Sequence, residues 1–451
     1  MKRPGSLRQA RGTVFIVTLW VIVVLAALVV VLARSMRVEG SCSANGVAAV
    51  QADAVEQGAI QYVLAHVDGL GGAVPTTVDA PAEAVRVGAG AFWILNPAGD
   101  GRTRTFGIAD EASKLNLNTA AAEVLQNIPG MTAELAACTI DWRDADSDAT
   151  PGGAESEYYL LLDDPYECKN SLLETVEEVL LVKGMTREVL FGEDTNRNGV
   201  LDDNENDAAA TEPPDNADGQ LDRGICDYVT VYTSEPNTSA SGDTRINVNQ
   251  PQGSELSDLL KPVVPQDRIV VVLDRARRER PFRSILDFYV GTGLTAKEFQ
   301  QVAGRLTTDS KPIAGLLNVN TAAGEVLGCL PGLADADVAA LLSWRSDPSH
   351  NISTVAWLAE ALPAAKVSPL GPLVTTQSYQ FSADIVALSG DGRAFRRCRI
   401  VVDASASPPK VVYRQDLTHL GWPLDMEIMT RVRAGTPLDQ AITQLPVQGV
   451  R

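Results

Sequence analysis

Between Thr13 and Ala33 the chain reads TVFIVTLWVIVVLAALVVVLA, 21 residues without an ionisable group. A helix needs about 20 apolar residues to cross the hydrocarbon core of a bilayer. Lipid offers a lone segment no partners for its backbone, so this run is expected to be helical. Lys2, Arg3, Arg8 and Arg11 precede it, Arg34 and Arg37 follow it, and no Asp or Glu occurs before Glu39. The modest basic excess on the leading side places residues 1–12 in the cytoplasm and nearly everything else across the membrane. The run is long for a secretory signal, and Ser35-Met36-Arg37 fits a cleavage site poorly.

Beyond the membrane, 451 residues exceed a single core, so an anchor and two to four packed units are expected. The net charge of −19 argues against a phosphate-backbone ligand, whose binding rests on Lys and Arg replacing condensed counterions. Cys42, Cys138, Cys168, Cys226, Cys329 and Cys398 form no C-x-x-C pair that would suggest zinc or dithiol redox chemistry, and the sequence does not disclose any disulfide pairing. Only His66, His350 and His419 are present, none within a nucleophile or metal motif, so an enzyme is not expected.

Val55, Ala59, Val63 and Val67 recur at helical steps of four, with Val47 and Val50 fitting more loosely, so the anchor extends outward as one helix until Gly69, Gly71, Gly72 and Pro75. Val85–Val87 and Phe92–Leu95 read as strands. Tyr379, Phe381, Ala383, Ile385 and Ala387 alternate with mostly polar residues, Ser389-Gly390-Asp391-Gly392 turns, and Phe395–Val402 returns as the second arm of a hairpin. Between these β segments lies an internal repeat: Leu115-Asn-Leu-Asn-Thr119, Ile246-Asn-Val-Asn-Gln250 and Leu317-Asn-Val-Asn-Thr321. Thr119 and Thr321 are candidate helix caps. The turns Ile128-Pro-Gly-Met131 and Leu330-Pro-Gly-Leu333 lead into second helices, a helix-hairpin-helix pattern to which Gly184-Met185-Thr186 looks related.

Arg11-Gly12 before the apolar run resembles the leader cut by prepilin peptidase after its glycine, which would leave Thr13 as the first mature residue. Pilin-like proteins usually carry Glu at mature position five, and this chain has Val17 there. A lone carboxylate in hydrocarbon is costly without a neighbouring subunit's amino terminus to pair with, so its absence suits the subunit at a filament tip. The segment Asp110-Glu-Ala-Ser-Lys-Leu-Asn-Leu-Asn-Thr-Ala120, then Asp141-Trp-Arg-Asp-Ala-Asp146, Gly153-Ala-Glu155, Tyr158-Tyr159 and Lys183-Gly-Met-Thr186, resembles the minor pseudopilin K family of type II secretion. The resemblance covers residues 11 to about 250 and more loosely the rest.

What the resemblance implies is a pilin-like α+β fold, a long N-terminal transmembrane helix and a small antiparallel sheet with a large helical domain inserted between strands. It implies processing by prepilin peptidase and a single-pass protein of the inner membrane with its bulk in the periplasm. It also implies a place at the pseudopilus tip beside minor pseudopilins of the I and J types. The chain then divides into a leader (1–12), a transmembrane helix (13–35), its outer continuation (36–70), pilin-like strands (71–110), and three Asn-x-Asn units (111–233, 234–310 and 311–375). A C-terminal hairpin (376–415) and a tail (416–451) complete it. Two departures from the family are the third unit and an acidic insertion after residue 191.

That insertion contains Asp194-Thr-Asn-Arg-Asn-Gly-Val-Leu-Asp-Asp-Asn-Glu205, with oxygen ligands at loop positions 1, 3, 5, 9 and 12 and Gly199 at position 6. This is EF-hand spacing, required because a calcium ion wants six to eight oxygens and the chain must turn sharply to surround it. Asp194, Asn196, Asn198, Asp202 and Glu205 would supply side chains and Val200 its carbonyl, in a structural role. A second stretch with Asp215, Asp218 and Asp222 lacks the final Glu and reads equally as a paired site or a plain loop. A membrane-anchored, extracellular DNA-binding protein is the rival reading of the hairpins, opposed by the acidic residues around Gly130 and Gly332. The arginines at 275, 277, 278 and 280 read as a solvated helix face, and no function is assigned to Trp93, Trp142, Trp344 or Trp357.

Overall fold

The computed structural model describes residues 10–96, 102–211 and 214–443. Residues 1–9 of the leader and 444–451 of the tail lie outside the described residues. Helix α1 runs unbroken from Ala10 to Val67, about 87 Å at 1.5 Å per residue, and Gly12 and Thr13 fall inside it. It has two halves: from Val14 to Val38 its large apolar side chains are exposed, whereas Ala48, Ala52, Val55, Ala59, Ile60, Val63 and Val67 are buried. Val47 and Val50 face outward, so the buried stripe recruits alanines in their place.

That stripe packs on an antiparallel sheet of β1 (Val85–Val87), β2 (Gly90–Leu95), β3 (Ala109–Asp110), β4 (Gln380–Leu388), β5 (Phe395–Asp403) and β6 (Lys410–Asp416). The order is β1-β2-β4-β5-β6, and β3 shares with β2 the same edge of β4. The β4–β5 hairpin pairs Gln380 with Asp403 through to Leu388 with Phe395, and Gly392 closes the turn at φ +68°. Phe92, Ile94, Phe381, Ala383, Ile385, Ala387, Ile400 and Val402 form one core with α1. On the other face Trp93, Val386 and Leu388 pack against Ile428, Met429 and Val432 of a helix at Met426–Arg433. Within the C-terminal tail, residues 424–441 supply the second cover of the sheet.

The sequence between β3 and β4 is the inserted domain. Each Asn-x-Asn segment forms a two-residue parallel pair with the end of its own unit: Leu115-Asn116 with Val229-Thr230, Ile246-Asn247 with Leu306-Thr307, and Leu317-Asn318 with Val374-Thr375. Within each motif the first Asn accepts the amide of the second at 2.8 to 3.0 Å, fixing a tight turn. The second then reaches across its unit: Asn118 clamps both backbone groups of Leu173, Asn249 both of Phe282, and Asn320 the carbonyl of Ile352. An amide side chain presents a donor and an acceptor side by side, which matches one residue of extended backbone.

Gly130, Gly184, Gly293 and Gly332 all adopt positive φ, between +71° and +82°, and reverse the chain between short helices. Two residues after the first three stands a threonine (Thr132, Thr186 or Thr295) whose hydroxyl accepts a helix N–H at 3.1 to 3.3 Å. Thr119 and Thr321 are not caps, which corrects the sequence reading. Their helices begin later, after Ala121 and Ala323, and the Thr321 hydroxyl donates to Asp110 at 2.6 Å.

Asp110 and Glu111, both buried, join insertion to sheet. Asp110 accepts from Asn318, Thr321 and Ser378 through one oxygen and from the Ala112 amide through the other, so it ties β3 to the third unit and to the start of β4. Glu111 pairs with Lys114 at 2.8 Å and with Arg399 of β5 at 3.6 Å, and accepts from Thr230 at the end of the first unit. Burial alone raises a carboxyl, but Lys114 and Arg399 outweigh it and hold Glu111 at about 2. A folded-state value below the ordinary 4.5 adds stability above that pH, and the contribution is lost as pH falls from 4.5 through 2. Urea unfolding at pH 7 and pH 3 should therefore show an acid loss in the parent, on the order of 3 kcal/mol when complete, that is missing from Glu111→Gln. An equal acid loss in both proteins would count against the junction.

Candidate functional site

The acidic insertion leaves the helix Arg187–Phe191 at Gly192 and returns at Gly224, and its two arms are stitched together by the Gly192–Arg223 bridge and by the Glu193 amide donating to the Asp222 carbonyl at 2.9 Å. Gly192 is required here, since a Cβ would lie 2.2 Å from that carbonyl.

Inside it, residues 194–205 wrap inward. Asp194 accepts the amides of Asn198 and Gly199 at 3.0 and 2.8 Å, Asn198 accepts that of Val200 at 2.8 Å, and Gly199 makes the reversal at φ +74°. Glu205 closes the ring, one oxygen accepting the Thr195 amide and hydroxyl at 2.8 Å and the other the Asp202 amide at 3.1 Å. Asp194, Asn198, Val200 and Glu205 are buried, and the side-chain Oδ1 of Asn196 is buried without a partner. Burial, and then the charge of Glu205, push the Asp194 carboxyl up to about 7; burial likewise raises Glu205.

Two buried carboxyls thus belong to one loop with the side-chain oxygens of Asn196, Asn198 and Asp202, a donor set suited to a hard cation. The structure does not gather Asp194, Asp202 and Glu205 at one point. Asn196 and Asn198 turn their amide nitrogens to Asp202 at 2.7 and 2.8 Å, and a half-turn of each amide would present oxygen instead.

The ring is bolted to the rest of the molecule. Arg397 of β5, fully buried, grips Asp384 of β4 through two nitrogens, at 2.9 and 2.6 Å, and donates to the carbonyls of Asn196 and Arg197. Asn198 donates to the Pro423 carbonyl at 3.3 Å, and Arg197 lies over the Phe191 ring at 3.7 Å. Sequence reading misses Arg397, which stands about 200 residues from the loop and carries no local motif.

The second stretch is different. Asp215 accepts three backbone amides, Asp218 accepts that of Gln220, and Asp222 accepts from the Asn216 amide group, all near the surface. The structure uses these carboxylates singly, as turn-forming acceptors.

Other candidate chemistry is dispersed. His66 packs on Tyr62 and His350 on Trp344, each with Nδ1 on a backbone carbonyl, and His419 sits in a separate turn. A cavity of about 430 Å³ between sheet and insertion is lined by Asp110, Asp384, Arg345 and Arg399, all already engaged: Asp110 and Arg399 at the junction, Asp384 with Arg397, and Arg345 with the Val319 and Ala322 carbonyls. The hairpin turns carry Glu134, Asp335 and Asp337 in the helix starts where a phosphate would sit. In the helix Gln266–Arg278, Arg268 is paired with Glu298 and Arg278 with Asp274, while Val272 and Ala276 are buried. Trp93, Trp142 and Trp357 are buried core groups. All six cysteines are free, with Cys42 exposed on α1.

Residues 109–191 match the family described as type II secretion system protein K. No curated protein matches the chain. A solved structure, the GspK-GspI-GspJ complex from the enterotoxigenic Escherichia coli type 2 secretion system, is similar over 84% of this chain and 98% of that chain, at 11% identity and a TM-score of 0.41. The family match opens at β3 and the Asp110–Glu111 junction and runs into the first Asn-x-Asn unit as far as the edge of the acidic insertion.

Proposed function

We propose that the chain is the subunit at the tip of the type II pseudopilus, where it supports filament initiation and the export of proteins across the outer membrane. The observation that carries this reading is the division of α1: an exposed apolar half long enough to span a bilayer continues without a break into a half that backs the sheet from which the helical head is inserted. Subunits of a helical filament stack along their long helices, and an insertion of some 265 residues, from 111 to 375, is too wide for the shaft. Val17 in place of Glu suits a subunit with none ahead of it. The head stands in the periplasm, the anchor in the inner membrane, and minor pseudopilins of the I and J types are the neighbours.

Prepilin peptidase is the processing enzyme, cutting between Gly12 and Thr13. Sequencing the amino terminus of protein recovered from membranes that contain the peptidase should return Thr13; Met1, or a start beyond residue 33, would contradict this.

We assign Ca²⁺ to the ring of Asp194, Asn196, Asn198, Val200, Asp202 and Glu205. The ion neutralises two buried carboxyls and stiffens a loop that touches the sheet through Arg397 and the C-terminal segment through Pro423. A ligand that binds only the folded state stabilises by about 2.7 kcal/mol at a hundredfold excess over its Kd. Thermal unfolding of the detergent-solubilised chain should therefore shift upward in calcium relative to chelator. The part of the shift due to this ring should vanish in Glu205→Gln, and a midpoint indifferent to calcium in the parent would defeat the assignment.

A further inference from the structure

We infer that Tyr158, Leu160, Leu161 and Leu181, flanked by Glu157, Asp163, Asp164 and Glu167, form a docking surface on the first Asn-x-Asn unit. Its occupant is a basic protein partner that carries an apolar anchor among lysines or arginines. The four apolar side chains are 39%, 51%, 87% and 48% exposed. Scattered exposed leucines are ordinary; a group of them on neighbouring segments is what marks a contact surface.

The fold brings the two segments together. Tyr159 turns inward from the short helix Ser156–Tyr159, fully buried, where it stacks on Tyr166 and meets Trp142 edge-on. That leaves its neighbours Tyr158, Leu160 and Leu161 on the outside. The Lys183 amide donates to the Tyr159 hydroxyl at 3.1 Å, and the Tyr166 hydroxyl donates to the Leu181 carbonyl at 2.8 Å, which sets residues 181–183 beside 158–161. Lys183 lies over the Tyr158 ring at 5.1 Å. The amides of Leu160 and Leu161 are bonded locally, to the Ser156 and Tyr158 carbonyls at 2.9 and 3.1 Å. An apolar surface fixed in this way loses little freedom when a partner covers it.

Charge selects the partner. Residues 111–233 contain 27 acidic and 7 basic residues, and the rest of the chain 30 and 31, so this unit carries the whole of the net negative charge. Glu157, Asp163, Asp164 and Glu167 are exposed, and none is paired with Lys or Arg among the described residues. The lysines of the same segments are already engaged, Lys169 by Glu174 and Glu178 and Lys183 by Glu134. The free carboxylates turn away nucleic acid and anionic lipid, and they oppose two copies meeting face to face on this surface. Cationic groups around an apolar centre complement both features at once.

The test uses the full chain reconstituted in phosphatidylcholine nanodiscs and a short fluorescent peptide of lysine and leucine, with empty nanodiscs as background. Fluorescence anisotropy should show binding that weakens with rising ionic strength, and a matched peptide of glutamate and leucine should not bind. Because Leu161 and Leu181 are exposed, the double variant Leu161→Ser, Leu181→Ser keeps the fold and should bind the cationic peptide about tenfold more weakly. Asp163→Asn with Asp164→Asn should also weaken binding and flatten its salt dependence. Unchanged affinity in the leucine variant would overturn the surface, since diffuse attraction to the acidic unit would then account for all binding. Two further results would also reject the basic partner: flotation of the parent, but not of the leucine variant, with phosphatidylglycerol vesicles, or self-association of the parent that the leucine variant loses.

Discussion

Two consecutive buried carboxylates, Asp110 and Glu111, hold this molecule together. They stand where the chain leaves the sheet for the insertion, and between them they engage β3, the entry to β4, Arg399 of β5, the end of the first unit and the start of the third. A charge at such a point is tolerated only when every lone pair finds a donor, which makes the junction specific: no other docking of the insertion would satisfy both side chains. The polar residues of β4 belong to the same logic. Gln380, Ser382 and Asp384 are buried because the insertion lies over them, and Asp384 is matched by Arg397.

The Asn-x-Asn repeat is best understood as a device for closing short units without long strands. A parallel pair of two residues is too small to hold by itself; the two asparagines supply the missing order, one by fixing the turn and the other by clamping a distant backbone residue. The same chemistry three times over gives three small helical units sharing one continuous apolar core. Their hairpins are reversed at left-handed glycines, three of them followed by threonine caps, and acidic residues stand in the helix starts after Gly130 and Gly332.

The acidity of the chain becomes intelligible in this setting. Exposed carboxylates cost little, but several here are buried in loops of the first unit with amides, asparagines or other acids for company.

Much of the architecture could be read from residue order alone, because it depends on local periodicity: the apolar run of α1, the stripe at Val55, Ala59, Val63 and Val67, the β4–β5 hairpin, the repeat and the spacing of Asp194 to Glu205. A nearest-neighbour pattern carries such information since the backbone geometry that uses it spans only a few residues. What the tertiary structure decided are the pairings between remote residues. It made Thr321 a donor to Asp110 rather than a helix cap, sent Arg397 from a strand to hold a loop 200 residues away, covered the second face of the sheet with Met426–Arg433, and left Glu155 buried beside Asp144. Burial and charge complementarity depend on which surfaces meet, and that is fixed only when the insertion closes on the sheet.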